Sequence, residues 1–207
     1  MSFKHSELFE RHPKLESCKD QLEKALEILK DCYTKSGKLL VMGNGGSSAD
    51  AEHLCGELTK GFLLKRPLSE SDKKKFSSID PSIADKLQMG LPALSLGVAH
   101  SGNSAFLNDV DPMLVYGQQI WVQGNTNDVV MGISTSGNSK NVIEGYKVAK
   151  AKGLKTIGLT GAKDSLSNEW CDVVIQVPEE ETFKAQELHL PVYHALCIEL
   201  EFHFFQS

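Results

Sequence analysis

The sequence predicts an α/β fold, a parallel sheet covered by helices on both sides, and three observations carry that prediction. Five short runs rich in Val, Ile and Leu alternate along the chain with segments of helical periodicity. The runs are nearly continuous in apolar residues, as strands buried on both faces are. Two of them end in turns of Gly, Ser, Thr and Asn that lead directly into helices, the arrangement found at the carboxyl ends of parallel strands.

The elements follow in order. From Leu15 the apolar positions Cys18, Leu22, Ala25, Leu26, Leu29, Cys32 and Tyr33 repeat at helical spacing, and Ser36-Gly37 supplies the stop, so residues 1–36 read as an N-terminal helical segment. The five strand runs are LLVM from Leu39, PALSLG from Pro92, DVVMGIS from Asp128, LKTIGLTG from Leu154 and DVVIQV from Asp172. A helix begins near Ser47. Another occupies NSKNVIEGYKVAKAKG, where Val142, Ile143, Tyr146 and Ala149 share a face and Gly153 ends it. The segment TFKAQELHLPVYHALCIELEFHFF reads as a long helix in which Pro191 marks a kink or a start.

Residues 68–90 interrupt the alternation with a lysine run, two aspartates and a Pro-Ser step. They read as an inserted, solvated loop with a short helix at Ser82 to Leu87, or as a lid over a site. The length of 207 residues, 41% of them hydrophobic, favours one domain spanning 1–207.

Composition excludes several classes of function. A net charge of -5 with dispersed lysines and arginines leaves no basic stripe for a nucleic-acid backbone. Five cysteines, odd in number and far apart, suit buried thiols in a reducing compartment, which makes the cytoplasm the expected location. No apolar run approaches the roughly 20 residues that a membrane span needs, and the charged N-terminus marks nothing for export.

The two polar turns carry the chemistry. GNGGSS follows the first strand and STSGNS, Ser134 to Ser139, the third. Each can be an ordinary cap and turn, or an anion site in which close backbone N–H groups, hydroxyls and a helix N-terminus hold a phosphate. In a sheet of order 2-1-3-4-5 these turns flank the crevice where the connections change direction. Neither matches a dinucleotide or nucleoside-triphosphate fingerprint, so a sugar phosphate fits better. His53 and Glu57 stand one turn apart on the helix after the first turn, and Gln186 and His194 share one side of the last helix, with His189 and Tyr193 near them. Read from spacing alone, these residues form a surface pair and a core histidine, a four-coordinate metal site, or a metal-free general base and acid.

GNGGSSADAEHLCGELT, GISTSGNSKNVI, TGAKD after the fourth strand and QELHLPVYH, in that order, resemble the phosphoheptose (sedoheptulose 7-phosphate) isomerases of the sugar isomerase (SIS) domain family. The resemblance runs from about Leu39 to the C-terminus. It implies a three-layer αβα sandwich on a five-stranded parallel sheet, and a homotetramer with active sites at subunit interfaces. It also implies conversion of sedoheptulose 7-phosphate to glycero-manno-heptose 7-phosphate, an early step toward heptose in bacterial surface polysaccharides. Carried over by position, phosphate contacts fall on Ser134, Thr135, Ser136 and Ser139, first-turn contacts on Asn44, Gly45 and Ser47, and a sugar-contacting aspartate on Asp109. The catalytic pair falls on Glu57 and His194, and zinc ligands on His53, Glu57, Gln186 and His194. These two sets overlap. The chain departs from the family pattern at Lys184-Ala185, at Lys60 in place of a nearby arginine, and in the longer segment 68–90. A non-catalytic phosphosugar-binding or replication-initiator-associating relative, or an isomerase of another sugar phosphate, is the competing reading.

Overall fold

The computed structural model describes residues 3–97 and 101–206. Five strands, β1 (Leu39–Gly43), β2 (Ala93–Ser95), β3 (Val129–Ile133), β4 (Lys155–Thr160) and β5 (Val173–Gln176), form one sheet in the order 2-1-3-4-5. Every pairing is parallel, with Leu39 beside Val129 and Val129 beside Lys155 at the inner junctions. Because successive side chains of a strand point to opposite faces, each strand feeds two cores. Leu39, Val41, Val129, Met131 and Ile157 face one helical layer, while Leu40, Met42 and Val130 face the other. The expected three-layer sandwich is present.

The helices are α1 (Leu8–Arg11), α2 (Lys19–Thr34), α3 (Gly46–Thr59), α4 (Glu70–Lys74), α5 (Pro81–Ala84), α6 (Ser101–Asp109), α7 (Val115–Gln123), α8 (Lys140–Ala151), α9 (Ser167–Trp170) and α10 (Thr182–Phe205). Buried side chains of α2, α3 and α10 cover the first face, and those of α7 and α8 cover the second. The helix expected from Leu15 begins as a 3-10 turn, Pro13–Cys18, since Pro13 sets the first turn, and becomes α-helical at Lys19. Two strands start on the same device. The carboxylate of Asp128 accepts the Lys38 N–H and pairs with the Lys38 ammonium. That of Asp172 accepts the Thr156 N–H and pairs with Lys155.

Three expectations change in detail. Pro191 does not start a helix; α10 runs through it, and the carbonyl that loses its partner belongs to the solvent-exposed Glu187. The second strand is shorter than its apolar run and lies at the sheet edge, which leaves Leu94 38% exposed instead of buried on both faces. Segment 68–90 carries two short helices instead of one: α4 over the lysine run, capped by Ser69, and α5, capped by Asp80 and ending before Leu87. Its base is closed by the Pro67–Gln88 bridge and by the Gly61 N–H donating to the Gln88 side chain.

One buried ion pair joins α10 to the chain leaving α3. Arg66 and Glu201 are fully buried, with Nε donating to Oε1 at 2.7 Å. The same carboxylate accepts the N–H groups of Phe62, Leu63 and Leu64. The guanidinium also donates to the Leu58 and Glu57 carbonyls and lies over the Phe205 ring. Burial opposes ionisation of Glu201, but the backbone donors and Arg66 outweigh it and hold the carboxyl below its usual pKa.

Removing the carboxylate strands a buried cation, so Glu201→Ala is expected to cost about 3–5 kcal/mol in urea denaturation. A folded pKa below the unfolded value of about 4.3 contributes stability that is complete above that value and lost as pH falls through the folded pKa. Wild-type stability should therefore drop more steeply than that of Glu201→Gln between about pH 5 and pH 3.

Candidate active site

The carboxyl ends of β1 and β3 are neighbours, and the turns that leave them run in opposite directions around the sheet. After β1 the chain turns at Asn44 and Gly45, with Gly45 at φ 57°, and enters α3. A Cβ at Gly43 would stand 2.5 Å from the Ser47 carbonyl oxygen, so the tight exit of β1 requires glycine there. After β3 the turn closes through the Gly137 N–H donating to the Ser134 carbonyl, with Gly137 at φ 63°. The hydroxyls of Ser134 and Ser139 lie 3.0 Å apart. Neither α3 nor α8 has a side-chain N-cap; the Ser47 and Ser48 N–H groups turn back to the Asn44 and Gly45 carbonyls, and the Val142 N–H donates to the Asn141 side chain.

The two turns are stitched together by side-chain amides. Asn44 and Asn141 exchange two hydrogen bonds, both 2.9 Å. The Tyr116 hydroxyl donates to the Gly43 carbonyl and lies 3.1 Å from the Asn44 Oδ1. The turn after β4 joins them, since the Gly161 N–H donates to the Thr135 carbonyl. Ser136 accepts from the Asn138 N–H and keeps its side chain exposed.

Beside this seat, α3 and α10 bring three of the predicted residues into one cluster. His53 Nε2 lies 3.3 Å from Glu57 Oε1 and 3.5 Å from His194 Nε2. Glu57 Oε2 pairs with the Lys60 ammonium at 2.9 Å. Burial, and then the neighbouring His53, lower the pKa of His194. Gln186 stands elsewhere: its amide nitrogen is 2.7 Å from where a Cβ on Gly46 would be, so it rests against the first turn of α3. Asp109 is exposed at the end of α6 and accepts from Asn108. His189 is fully buried in α10, and desolvation lowers its pKa to about 4.

The donors suit zinc in kind: two imidazoles, a carboxylate and, two turns away, an amide oxygen. The spacings of 3.3 and 3.5 Å are close to the edge of a tetrahedron with metal–ligand bonds of about 2.0–2.1 Å. Among the described residues no three His, Cys, Asp or Glu groups already converge on one metal-sized point.

Asn141, Asp50 and the Tyr116 hydroxyl were not singled out by motif. Asn141 lies within NSKNVI, and only its partner 97 residues away reveals its role. Asp50 lies between the first turn and His53, where the Tyr193 hydroxyl reaches it at 3.3 Å.

A doubly wound parallel sheet with two hydroxyl-rich turns at its switch point and a His-Glu-His cluster alongside defines a phosphosugar-handling α/β protein. Two SIS domain models match the chain, one over residues 7–73 and 81–161 and the other over 124–199. The first skips part of segment 68–90. The phosphoheptose isomerase of Helicobacter pylori strain P12 is 36% identical over 190 residues, covering 92% of this chain and 88% of its own. That of Campylobacter jejuni serotype O:6 is 36% identical over 182 residues, covering 88% and 86%. The phosphoheptose isomerase GmhA structure from Neisseria gonorrhoeae is 31% identical with a TM-score of 0.68, covering 86% of this chain and 84% of that one. A phosphoheptose isomerase structure from Francisella tularensis is 25% identical with a TM-score of 0.71, covering 86% and 83%. The chain belongs to the phosphoheptose isomerases of the SIS domain family and is a phosphosugar isomerase.

The turn after β3 yields a direct test. A Cβ at Gly137 would meet the Ser165 hydroxyl at 2.1 Å in a left-handed backbone that itself costs about 1–2 kcal/mol for a non-glycine residue. Gly137→Ala is expected to lower the melting temperature and to weaken binding of a sugar phosphate at least tenfold by calorimetry.

Proposed function

We propose that the protein interconverts sedoheptulose 7-phosphate and D-glycero-D-manno-heptose 7-phosphate by proton transfer through a cis-enediol, in heptose biosynthesis. The observation that carries this reading is the convergence of Glu57, His53 and His194 beside the paired turns, 3.3 and 3.5 Å apart at their nearest atoms. The 36% identity to phosphoheptose isomerases over most of the chain supports the choice of sugar.

The phosphate sits on Ser134, Thr135, Ser136 and Ser139, with Asn44, Gly45 and Ser47 across the crevice, and the α3 and α8 N-termini supply partial positive charge. Anchoring that end places the carbonyl and its neighbouring carbon against α3 and α10. Glu57 removes the proton from the carbon beside the carbonyl, and the electron pair forms the carbon–carbon double bond of the enediol. His194 gives a proton to the former carbonyl oxygen and then takes one from the adjacent hydroxyl. Returning the first proton to the other carbon completes the isomerisation. Asp109 and Gln186 are assigned to the sugar hydroxyls. His53, Glu57, Gln186 and His194 would hold a zinc ion, which supplies polarisation of the carbonyl and hydroxyl oxygens when bound. The working form in this reading is a cytoplasmic homotetramer with sites at its interfaces, consistent with the exposed Trp121 and Val122 on α7.

Incubation with sedoheptulose 7-phosphate and a panel of pentose, hexose and heptose phosphates tests the assignment. Turnover of the heptose phosphate above all others is expected, and no turnover of any would end the enzyme reading. Glu57→Gln and His194→Gln should each lower kcat by about 10²–10⁴-fold.

A further inference from the structure

We infer that Tyr193 and Asp50 act as positioning residues that keep the proton of His53 on Nδ1 and leave the Nε2 lone pair turned toward Glu57 and His194. The geometry is a chain of three polar groups behind the cluster. The Tyr193 hydroxyl is 3.3 Å from Asp50 Oδ1 and 3.0 Å from His53 Nδ1. Tyr193 is 1% exposed, so its hydroxyl is satisfied by these two groups and its ring is fixed by the core around α10.

Donor counting sets the direction. A carboxylate only accepts, and a tyrosine hydroxyl has one proton to give. Tyr193 donates that proton to Asp50, so its oxygen lone pairs are what it offers to His53. A bond at 3.0 Å then requires hydrogen on Nδ1. In a neutral imidazole the other nitrogen is consequently bare. That bare Nε2 is the atom 3.3 Å from Glu57 Oε1 and 3.5 Å from His194 Nε2. The cluster therefore presents lone pairs to a shared space, which is the electronic state needed to accept a cation or a substrate proton.

Without the hydroxyl the balance reverses. Nδ1–H then loses its Tyr193 acceptor, while a proton on Nε2 can bond to Glu57 Oε1 3.3 Å away, so the other tautomer becomes favourable. That state would close the lone-pair face and occupy the carboxylate assigned as base. Asp50 and Tyr193 are separated by 143 residues and lie on different helices, so the relay also reports the seating of α3 against α10.

Tyr193→Phe keeps the ring and removes only the relay oxygen. Long-range proton–nitrogen NMR of the imidazoles in metal-free protein should show His53 protonated on Nδ1 in the wild type and chiefly on Nε2 in Tyr193→Phe. Zinc affinity, measured calorimetrically without substrate, should fall about 10- to 100-fold, and kcat about tenfold with KM within about twofold. A wild-type His53 protonated on Nε2 would overturn the proposal even if the variant failed to fold. So would a folded Tyr193→Phe with unchanged tautomer and zinc affinity. Only the kinetic arm rests on the isomerase reading: a protein that turned over no sugar phosphate would defeat that reading while the tautomer and zinc results still decided this one.

Discussion

The buried pair between Arg66 and Glu201 is the constraint on which the site depends. Everything in the His-Glu-His cluster comes from two helices, α3 and α10, that are far apart in sequence and share no hydrogen-bonded ladder. Arg66 holds both: its guanidinium binds Glu201 on α10 and the carbonyls of Leu58 and Glu57 at the end of α3. The backbone of the proposed base is thus tied to the helix that carries its acid partner. An apolar pair of similar volume could match the stability of such an ion pair. It could not reproduce the directions to two carbonyls and three amides at once, and that directional content is what fixes one helix against the other.

The same two helices are pinned at three levels, and the levels run in the same direction along both. Gly46 meets Gln186 near their N-termini, His53 meets His194 in the middle, and Leu58 meets Glu201 through Arg66 at the far end. The intervals are seven and five residues on α3 against eight and seven on α10. At about 1.5 Å per residue, the Gly46–Gln186 level and the His53–His194 level lie about 10–12 Å apart along the helices. In the proposed reaction that spacing would relate the position of the anion to that of the sugar carbons.

Much of this was visible in the sequence, for physical reasons that also explain what was not. Strand runs and α2 are local patterns, continuous apolar stretches in the one and a period of 3.6 in the other, set by neighbouring side chains. The polar turns were legible because a positive φ at Gly45 and Gly137 restricts the residue type. His53 with Glu57 and Gln186 with His194 were legible as same-face pairs, and the resemblance joined them. What lacked any local signature was pairing at a distance: Asn44 with Asn141, Arg66 with Glu201 and Asp50 with Tyr193, which are 97, 135 and 143 residues apart. Arg66 in KRPL looks like one more surface cation until Glu201 is found beneath it. Pro191 is not a helix start, because the buried side chains on both sides of it hold one continuous α10 despite the missing N–H.

The charge layout of the crevice has its own logic. Neither Gly43 to Ser48 nor Ser134 to Ser139 contains a lysine or arginine, so the turns offer a phosphate dipoles and hydroxyls rather than a formal cation. Such a seat holds an anion by the direction of its donors instead of by a point charge. Among the described residues, the ion pairs of Glu57 come from its own helix and its end: Lys60 on Oε2, and His53 on Oε1 when that imidazole is charged. A His53 with a bare Nε2 leaves Lys60, at 2.9 Å, as the closer partner of the carboxylate and puts a lone pair 3.3 Å from Oε1. Lys60 then holds Glu57 through Oε2 and leaves Oε1 beside His53 Nε2, on the side of the carboxylate that faces the cluster.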